Sequence, residues 1–395
     1  MAADLAINVG FPPMRRDPVR YYEDVFDRMR ADGVSVFRFL MTDFSFNCYA
    51  HGGRSFDRGM EALERVMAAA RARGLRAIPV LFDFNELSHT NVEWSEYDHT
   101  FRSSFLSSVL ARPMDLFAPE ALELALGKFR RVREVVGGAA YAWELFNEVD
   151  QVDGFALPAV AAWARTFGAA VRQADGLPVY LSFANPGHVP AFRAAVPEVR
   201  VGIHVYGWPC RAFEENVVYW QSRFPECWVM EFGHPQATVP SLLAALSAGF
   251  LLNRERRVAL PWYWDRVLEL RAFHAFRPVL AFLEEHAGDG GFEFVGTLRR
   301  EMPRPTAAAL VSTFKLTGVR GVLSKARAVA AARLARPAAG AGRARRPGLA
   351  FRSATRLITL STGGEPPDGD GDPGSRPLAS LHAGGLTLAA HQPAG

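Results

Sequence analysis

Short apolar runs alternate with amphipathic helical runs along the first 290 residues, and this alternation constrains the fold more than any other feature. Strands separated by helical segments predict repeated βα units around a parallel sheet. Eight units in about 285 residues fit a (β/α)₈ TIM barrel, of the α/β class, better than an open sheet. The eight predicted strands are Leu5–Gly10, Ser35–Leu40, Ala77–Phe82, Tyr141–Phe146, Pro178–Ser182, Gly202–Val205, Cys227–Phe232 and Ala259–Trp264.

The helical runs and their ends agree with this architecture. Gly33, Gly74 and Gly176 directly follow three of the runs, where a C-cap glycine is expected. The chain reads Asn-Val-Gly-Phe-Pro-Pro after the first strand, with none of the glycine pattern of a nucleotide-binding open sheet. The predicted helices are Val19–Asp32, Asp57–Arg73, Pro119–Val136, Pro158–Asp175, Ala212–Arg223, Val239–Gly249 and Glu269–Glu285.

The positive charge of the chain is concentrated at its C-terminal end. The 395 residues carry a net charge of +4, but residues 321–395 hold ten of the 45 basic and four of the 41 acidic side chains. Residues 1–320 therefore hold 35 basic and 37 acidic side chains, a net charge of −2. The C-terminal segment also has one aromatic residue, Phe351, and is rich in Gly, Pro, Ala and Arg. This composition predicts a low-complexity, basic and mostly disordered tail.

These observations predict three regions: a catalytic barrel over residues 1–290, an extension packing on it over 291–320, and the tail over 321–395. We expect the tail to be solvated rather than to bind nucleic acid, although it could associate with a surface. No apolar run reaches the roughly 18–20 residues that a transmembrane helix needs. No signal peptide is visible, so a cytoplasmic location is the default expectation, or export if the N-terminus is truncated.

The cysteines do not predict a disulfide framework. The chain has three, Cys48, Cys210 and Cys227, which is an odd and small number. Cys210 follows the sixth strand and Cys227 begins the seventh, so we expect them at opposite ends of the barrel, too far apart to bridge.

Polar and aromatic side chains cluster at the ends of nearly all predicted strands. Catalytic residues of (β/α)₈ enzymes lie at the carboxyl ends of the strands, so this clustering indicates an enzyme. The residues in question are Asn8, Arg38, Asp43, Asp83, Asn85, Glu86, Asn147, Glu148, Asp150, Asn185, His204, Tyr206, Glu231, His234, Trp262, Trp264 and Asp265.

Two glutamates stand out among these residues. Glu148 closes the run Trp-Glu-Leu-Phe-Asn-Glu after the fourth strand, and Glu231 lies in Val-Met-Glu-Phe-Gly at the end of the seventh. Glycoside cleavage requires two carboxyl groups, one to protonate the leaving oxygen and one to attack or to activate water. Their environments must keep one protonated and the other ionised.

Both motifs resemble those of the retaining glycoside hydrolases of clan A, which include the cellulases and mannanases of family 5. The resemblance covers about residues 5–287 and implies Glu148 as acid/base and Glu231 as nucleophile. The resemblance further implies that Asn147 binds a sugar 2-hydroxyl and that Arg38 and Tyr206 orient the nucleophile. It also implies that His204 belongs to the same polar shell and that Trp264 lies beneath the sugar.

Two departures place the resemblance at clan level rather than in one numbered family. Val149 follows Glu148, where many members have proline. The third strand leads into Asp83 and Asn85, where many family 5 members have histidine. The substrate therefore does not follow from the resemblance.

Several supporting residues have a structural interpretation beside a functional one. Glu144 shares strand parity with Glu148, so we expect it inside the barrel in an ion pair with Arg38. His204 could shuttle a proton, but a hydrogen-bonded shell histidine is the expectation. Trp264 is predicted as a sugar platform; further candidates, which could equally be packing residues, are Trp94, Tyr97, Trp208 and Trp262.

The sequence thus predicts a retaining hydrolase of β-linked glycosides or polysaccharides that needs no metal and no organic cofactor. One alternative is a non-catalytic carbohydrate-binding barrel that keeps the aromatic residues. A second is a metal-dependent hydrolase, for which the long connection after strand 3 offers Glu86, His89, Asp98 and His99, although their spacing matches no compact ligand motif. The sugar, the linkage, endo or exo action and the oligomeric state stay open.

Overall fold

A computed structural model gives the fold of the chain. It describes residues 3–10, 18–41, 54–83, 116–152, 155–206, 209–210, 212–262, 264–288, 291–296, 298, 348–353, 355–362 and 376–392. The chain divides into two compact units. The first unit comprises residues 6–204 and 307–322, and the second comprises residues 1–5, 205–306 and 323–395.

The first unit alternates parallel strands with helices, as the sequence predicts. Its strands are β1 (Ala6–Asn8), β2 (Val36–Leu40), β3 (Arg76–Asp83), β4 (Trp143–Asn147), β5 (Val179–Phe183) and β6 (Arg200–Val205). Its helices are α1 (Pro18–Asp32), α2 (Arg54–Ala72), α3 (Leu122–Val136), α4 (Leu157–Asp175) and α5 (Val189–Ala195). Short 3₁₀ turns over Val149–Gln151 and Pro186–His188 follow β4 and β5.

The register of the parallel strands places polar side chains side by side at one end of the sheet. Asn8 of β1 pairs with Arg38 of β2, and Asp83 of β3 pairs with Asn147 of β4. Nearly every strand residue is buried, which suits a parallel sheet covered on its faces by helices. The strand register alone therefore places these predicted polar residues next to one another, without a contribution from the loops.

Aromatic side chains fill the space between the sheet and α4. Trp163 and Phe167 of α4 have ring centroids 4.9 Å apart, and Trp163 lies edge-on to Phe82 and Phe146 of the sheet at 6.2 and 6.4 Å. Such offset and edge-to-face pairs add to the free energy of apolar burial. This packing fixes β3 and β4, whose ends carry the candidate site.

Within the residues that the structure describes, the second unit combines β7 with four helices and an antiparallel sheet. The strand β7 (Trp228–Phe232) lies between α6 (Phe213–Arg223) and α7 (Val239–Leu252), which are followed by α8 (Trp264–Glu269) and α9 (Ala272–His286). The antiparallel strands are β8 (Glu293–Phe294), β9 (Leu349–Arg352), β10 (Leu357–Thr362), β11 (Arg376–Ala383) and β12 (Leu386–Gln392), in the order β11-β12-β10-β9-β8.

The order of the parallel sheet is β1-β2-β3-β4-β5-β6-β7, so every strand follows its predecessor in the chain. This order, with helices between the strands, is that of a TIM-barrel-like α/β fold and confirms the predicted fold class. The first seven predicted strands and their helices are found within a few residues of the predicted bounds.

The eighth predicted strand is reduced to a bridge. Phe232 and Pro261 form an isolated parallel bridge, and Trp262 donates its backbone N–H to Phe232 at 2.8 Å. Proline has no N–H for a continuous ladder, and Trp264 already begins α8 instead of ending a strand. The prediction of a full strand over Ala259–Trp264 is therefore wrong, and Trp264 is the first residue of α8.

The predicted disorder of residues 321–395 is wrong for the described residues between 348 and 392, because β9 to β12 lie there. Phe351, Ile358 and Leu388 are completely buried in this sheet. The strands contain Leu, Ile and Phe residues that pack in this sheet, although the segments between the strands are rich in Gly and Pro. The predicted boundaries at residues 290 and 320 stay predictions.

Three smaller expectations concern glycines, cysteines and membrane spans. Gly33, Gly74 and Gly176 all have positive φ, between 68° and 75°, which confirms them as helix C-caps. Cys210 and Cys227 are buried and are not joined by a disulfide bond, as the sequence predicts, and Cys48 lies outside the described residues. Within the described part of the chain, no helix is both long and apolar enough to cross a bilayer.

Candidate active site

Arg38 and Glu144 form a buried ion pair at the centre of the first unit. Arg38 Nε donates to Glu144 Oε2 at 2.5 Å, and Arg38 Nη2 donates to Glu144 Oε1 at 2.8 Å. Both side chains are fully buried. Two further guanidinium N–H groups have partners as well, since Nη1 donates to Asn8 Oδ1 at 2.8 Å and Nη2 to Asn147 Oδ1 at 2.7 Å. The predicted ion pair is confirmed, and its bidentate geometry fixes both planes.

Asn147 connects this ion pair to the end of β3. Its side-chain oxygen accepts from Arg38, and its Nδ2 donates to Asp83 Oδ2 at 2.7 Å. An amide whose acceptor and donor sides both have charged partners is held in one orientation. The structure thus brings the predicted residues Arg38, Asn147 and Asp83 into one hydrogen-bond network.

Glu148 has a backbone conformation that few non-glycine residues adopt. It lies directly after β4 with φ 50° and ψ 51°, in the left-handed region. Such a conformation costs about 1–2 kcal/mol for a residue with a side chain. Its N–H donates to Ser182 Oγ at 3.2 Å, and that hydroxyl donates to Glu144 Oε1 at 2.7 Å. The strained residue is thereby tied to the buried ion pair through β5.

The carboxyl group of Glu148 stays neutral to a higher pH than an ordinary glutamate. Burial raises its pKa to about 7 from an ordinary value of 4.5, and the negative charge of Asp150 adds to the increase. Glu144 acts in the same direction, whereas Arg38 opposes it. His204 Nδ1 lies 2.8 Å from Glu148 Oε1 and shares a proton with it. The side chain of Glu148 is 16% exposed, so most of it is buried and a small part contacts solvent.

Glu231 is a buried acidic residue of the second unit. It lies on β7, is 4% exposed, and accepts a short hydrogen bond at Oε2 from the hydroxyl of Tyr206. A phenol that donates to a carboxylate stabilises its negative charge and fixes its direction. The predicted contact between Tyr206 and Glu231 is present.

The aromatic residues predicted beneath the sugar lie just beyond the bridge that replaces strand 8. Trp262 and Trp264 are both half-buried, and the N–H of Trp264 donates to the carbonyl of Trp262 at 2.5 Å. Partly exposed indole faces can stack on the apolar face of a pyranose. Their role as sugar platforms stays a prediction.

Several predicted residues fall outside the described part of the chain. They are the strand-end residue Asp43, the supporting residue Asn85, the alternative platforms Trp94, Tyr97 and Trp208, and the candidate metal ligands Glu86, His89, Asp98 and His99.

Two residues of the site were missed as contributors by sequence reasoning. The sequence pattern assigns Ser182 to a strand and Asp150 to the polar strand ends, and it indicates no contact of either with Glu148. Ser182 connects Glu144 to the backbone of Glu148, and Asp150 accepts two backbone N–H groups from the segment after β5. The parity of Ser182 on its strand predicts an inward side chain, whereas nothing in the sequence marks the contacts of Asp150.

Comparison with known proteins gives a likeness of fold. No protein-family model matches the chain, and no curated protein matches it. Among solved structures, the exo-β-1,4-mannosidase Op5Man5 from Opitutaceae bacterium strain TAV5 is 15% identical, with a TM-score of 0.51. The match covers 72% of this chain and 60% of the mannosidase, so this chain spans less than two thirds of that protein.

A second similar structure is that of a GH5_18 protein from Streptomyces cattleya in complex with Manβ1-4GlcNAc. It is 12% identical, has a TM-score of 0.51, and the match covers 83% of this chain and 92% of that chain. At such identities a likeness establishes the fold and leaves activity to be argued from the site. The fold of this chain is therefore similar to the folds of these two proteins.

Proposed function

We propose that this protein is a retaining glycoside hydrolase that cleaves β-linked glycosides, with Glu148 as acid/base and Glu231 as nucleophile. The observation that supports this most is the state of Glu148, whose pKa of about 7 keeps it protonated at mildly acidic and near-neutral pH. A carboxylic acid that is protonated near the working pH can donate its proton to a leaving oxygen. The fold likeness and the hydrogen bond from Tyr206 to Glu231 support the assignment further.

In the first step, Glu231 attacks the anomeric carbon while Glu148 gives its proton to the glycosidic oxygen. The bond between the anomeric carbon and that oxygen breaks, and the aglycone leaves as an alcohol. Glu231 is then joined to the sugar through an ester, and Glu148 is ionised.

In the second step, the ionised Glu148 takes a proton from water, and the water oxygen attacks the anomeric carbon. The ester to Glu231 breaks, and the sugar leaves with its original anomeric configuration. Glu148 is protonated again, so no proton is gained or lost over the cycle. This cycle requires no metal ion and no organic cofactor.

The other predicted residues are proposed to bind or orient the reacting groups. They are Arg38, Asn147, His204, Tyr206, Trp262, Trp264, Asp83 and Asn85. The two similar structures are a β-1,4-mannosidase and a complex with Manβ1-4GlcNAc, and this supports β-mannosides as the first substrates to test.

A panel of activated 2-deoxy-2-fluoro-β-glycosides, including mannosyl and glucosyl members, tests the proposal. We expect one sugar to add covalently to the protein by intact mass, and peptide mapping to find it on Glu231. Glu231→Ala should show no adduct and no turnover, whereas Glu123→Gln, at an exposed residue of α3, should label like the wild type. An adduct on another residue, or full turnover by Glu231→Ala, would contradict the assignment.

The same panel addresses the alternatives. A non-catalytic binding barrel would bind oligosaccharide without forming an adduct or releasing product. A metal-dependent hydrolase would lose turnover in a strong chelator, whereas the double-displacement mechanism predicts unchanged turnover.

A further inference from the structure

Asp150 joins the segment after β4 to the segment after β5. Its Oδ1 accepts the N–H of Ala184 at 2.9 Å, and its Oδ2 accepts the N–H of Asn185 at 2.8 Å. Both oxygens of one carboxylate thus bind consecutive backbone amides. Asn185 in turn accepts the N–H of Gly187 through its side chain, which caps the turn that leads into α5.

This clamp acts on Glu148 because the two residues share one short turn. Glu148 is the N-cap of the 3₁₀ turn Val149–Gln151, and its carbonyl accepts the N–H of Gln151 at 2.9 Å. Ser182 holds the N–H of Glu148 on one side, and Asp150 holds the turn on the other. Two anchors to the same strand end can maintain a left-handed residue that would otherwise relax.

We propose that Asp150 is a positioning residue for Glu148: its carboxylate fixes the turn after β4 to the backbone after β5 and places a negative charge beside the Glu148 carboxyl. The proposal rests on the proposed function for its catalytic meaning. The raised pKa of Glu148 agrees with it, since the Asp150 charge is the largest contribution after burial.

The other charged groups around this pair set what removal of Asp150 should do. Arg38, Glu144 and His204 face Glu148, and His188 acts on Asp150. Without the negative charge of Asp150, the ionised form of Glu148 is repelled less and is still attracted by Arg38, so ionisation becomes more favourable. The pKa of Glu148 should then fall toward its ordinary value.

The experiment uses the full chain and the variant Asp150→Asn, which keeps the size of the side chain but loses its charge and one acceptor. Amide hydrogen exchange by NMR reads the clamp directly. We expect the N–H groups of Ala184 and Asn185 to exchange at least tenfold faster in the variant. NMR of protein labelled at the glutamate carboxyl carbons follows the titration of Glu148 directly. We expect the pKa of Glu148 to be lower by at least one unit in the variant.

Glu123→Gln is the matched control, because it removes one negative charge from an exposed residue. It should change neither exchange nor titration. Unchanged exchange at Ala184 and Asn185, or an unchanged Glu148 titration, in folded Asp150→Asn would overturn the proposal. Asp150→Ser keeps a single acceptor oxygen without the charge, and the same two readouts decide the question with it if the Asn variant does not fold.

A pH profile then relates the result to catalysis. If Glu148 is the general acid, the alkaline limb of kcat/KM should move to lower pH in Asp150→Asn together with the NMR titration. If the NMR titration moves and the limb does not, Asp150 still positions Glu148, but the assignment of Glu148 as the acid fails. The two hypotheses are therefore separated by one set of variants.

Discussion

Glu144 binds Arg38 through both carboxylate oxygens, at 2.5 and 2.8 Å, with the two side chains completely removed from solvent. Loss of one member of such a pair leaves the other charge buried and unpaired. We therefore expect Glu144→Gln to lower the free energy of unfolding by about 3–5 kcal/mol. Denaturant unfolding at constant pH measures this change.

The exposed pair of Arg131 and Glu134, at 3.0 Å, is the matched control for that variant. Its charges stay in water, so Glu134→Gln should change stability by no more than about 1 kcal/mol. Equal effects of the two substitutions would show that burial does not decide the value of the Arg38–Glu144 pair.

Tyr206 is expected to affect turnover more than folding. Tyr206→Phe removes the hydroxyl that donates to Glu231 and keeps the ring. A hydrogen bond to a charged group contributes about 1.5–3 kcal/mol, which corresponds to a roughly 10- to 100-fold decrease in kcat/KM. Steady-state kinetics on the substrate found with the fluoroglycoside panel measures the decrease.

Tyr219→Phe provides the comparison for Tyr206→Phe. Tyr219 lies on α6, and the guanidinium carbon of Arg223 lies 3.7 Å from the centre of its ring. Phenylalanine would preserve this cation–π contact. This variant should keep wild-type kinetics. A kcat/KM for Tyr206→Phe within twofold of the wild type would show that the Tyr206 hydroxyl does not assist the nucleophile.

The sequence predicts those parts of the site that follow from strand parity and motif. Strand parity predicts Glu144 inside the barrel in an ion pair with Arg38, because alternate strand residues share a face, and the register of β1 to β4 places the partners Asn8 and Asn147 beside them. The motif at β4 identified Glu148. These inferences need only the periodicity of strands and the rule that barrel enzymes work at strand ends.

Features that depend on backbone geometry and loop contacts were beyond the sequence. The left-handed conformation of Glu148 arises where the turn after β4 meets the end of β5, and a Glu in this conformation carries no residue signature. The clamp by Asp150 depends on backbone amides, which every residue has. The sheet between residues 348 and 392 is missed for another reason, because the average composition of residues 321–395, rich in Gly, Pro, Ala and Arg, conceals the short apolar runs in its strands.

The hairpin between β11 and β12 should be intolerant of side chains at its turn. Gly384 has φ +57°, and a Cβ there would lie 2.8 Å from both Leu243 Cδ1 and Val239 Cγ1 of α7. Gly384→Ala therefore combines a left-handed strain with overpacking, and we expect it to cost about 1–3 kcal/mol. Gly291→Ala, where no atom lies within 4 Å of the new Cβ, should change stability by less than about 0.5 kcal/mol. Similar unfolding midpoints for the two variants would contradict this packing.

The raised pKa of Glu148 should also be visible in stability. Because the folded state holds the proton up to pH of about 7, whereas an unfolded glutamate releases it near 4.5, the folded state binds more protons between these values. Stability from this group is then fully present below pH 4.5 and is lost as pH rises toward 7, by about 3 kcal/mol in total. Glu148→Gln removes the ionisation and with it this loss. We therefore expect the unfolding free energy of Glu148→Gln, relative to the wild type, to increase steadily from pH 4.5 to 7 and to be constant above it. Guanidinium unfolding of both proteins at half-unit pH intervals measures the difference, and a difference that is flat across this range would show that Glu148 titrates normally in the folded protein.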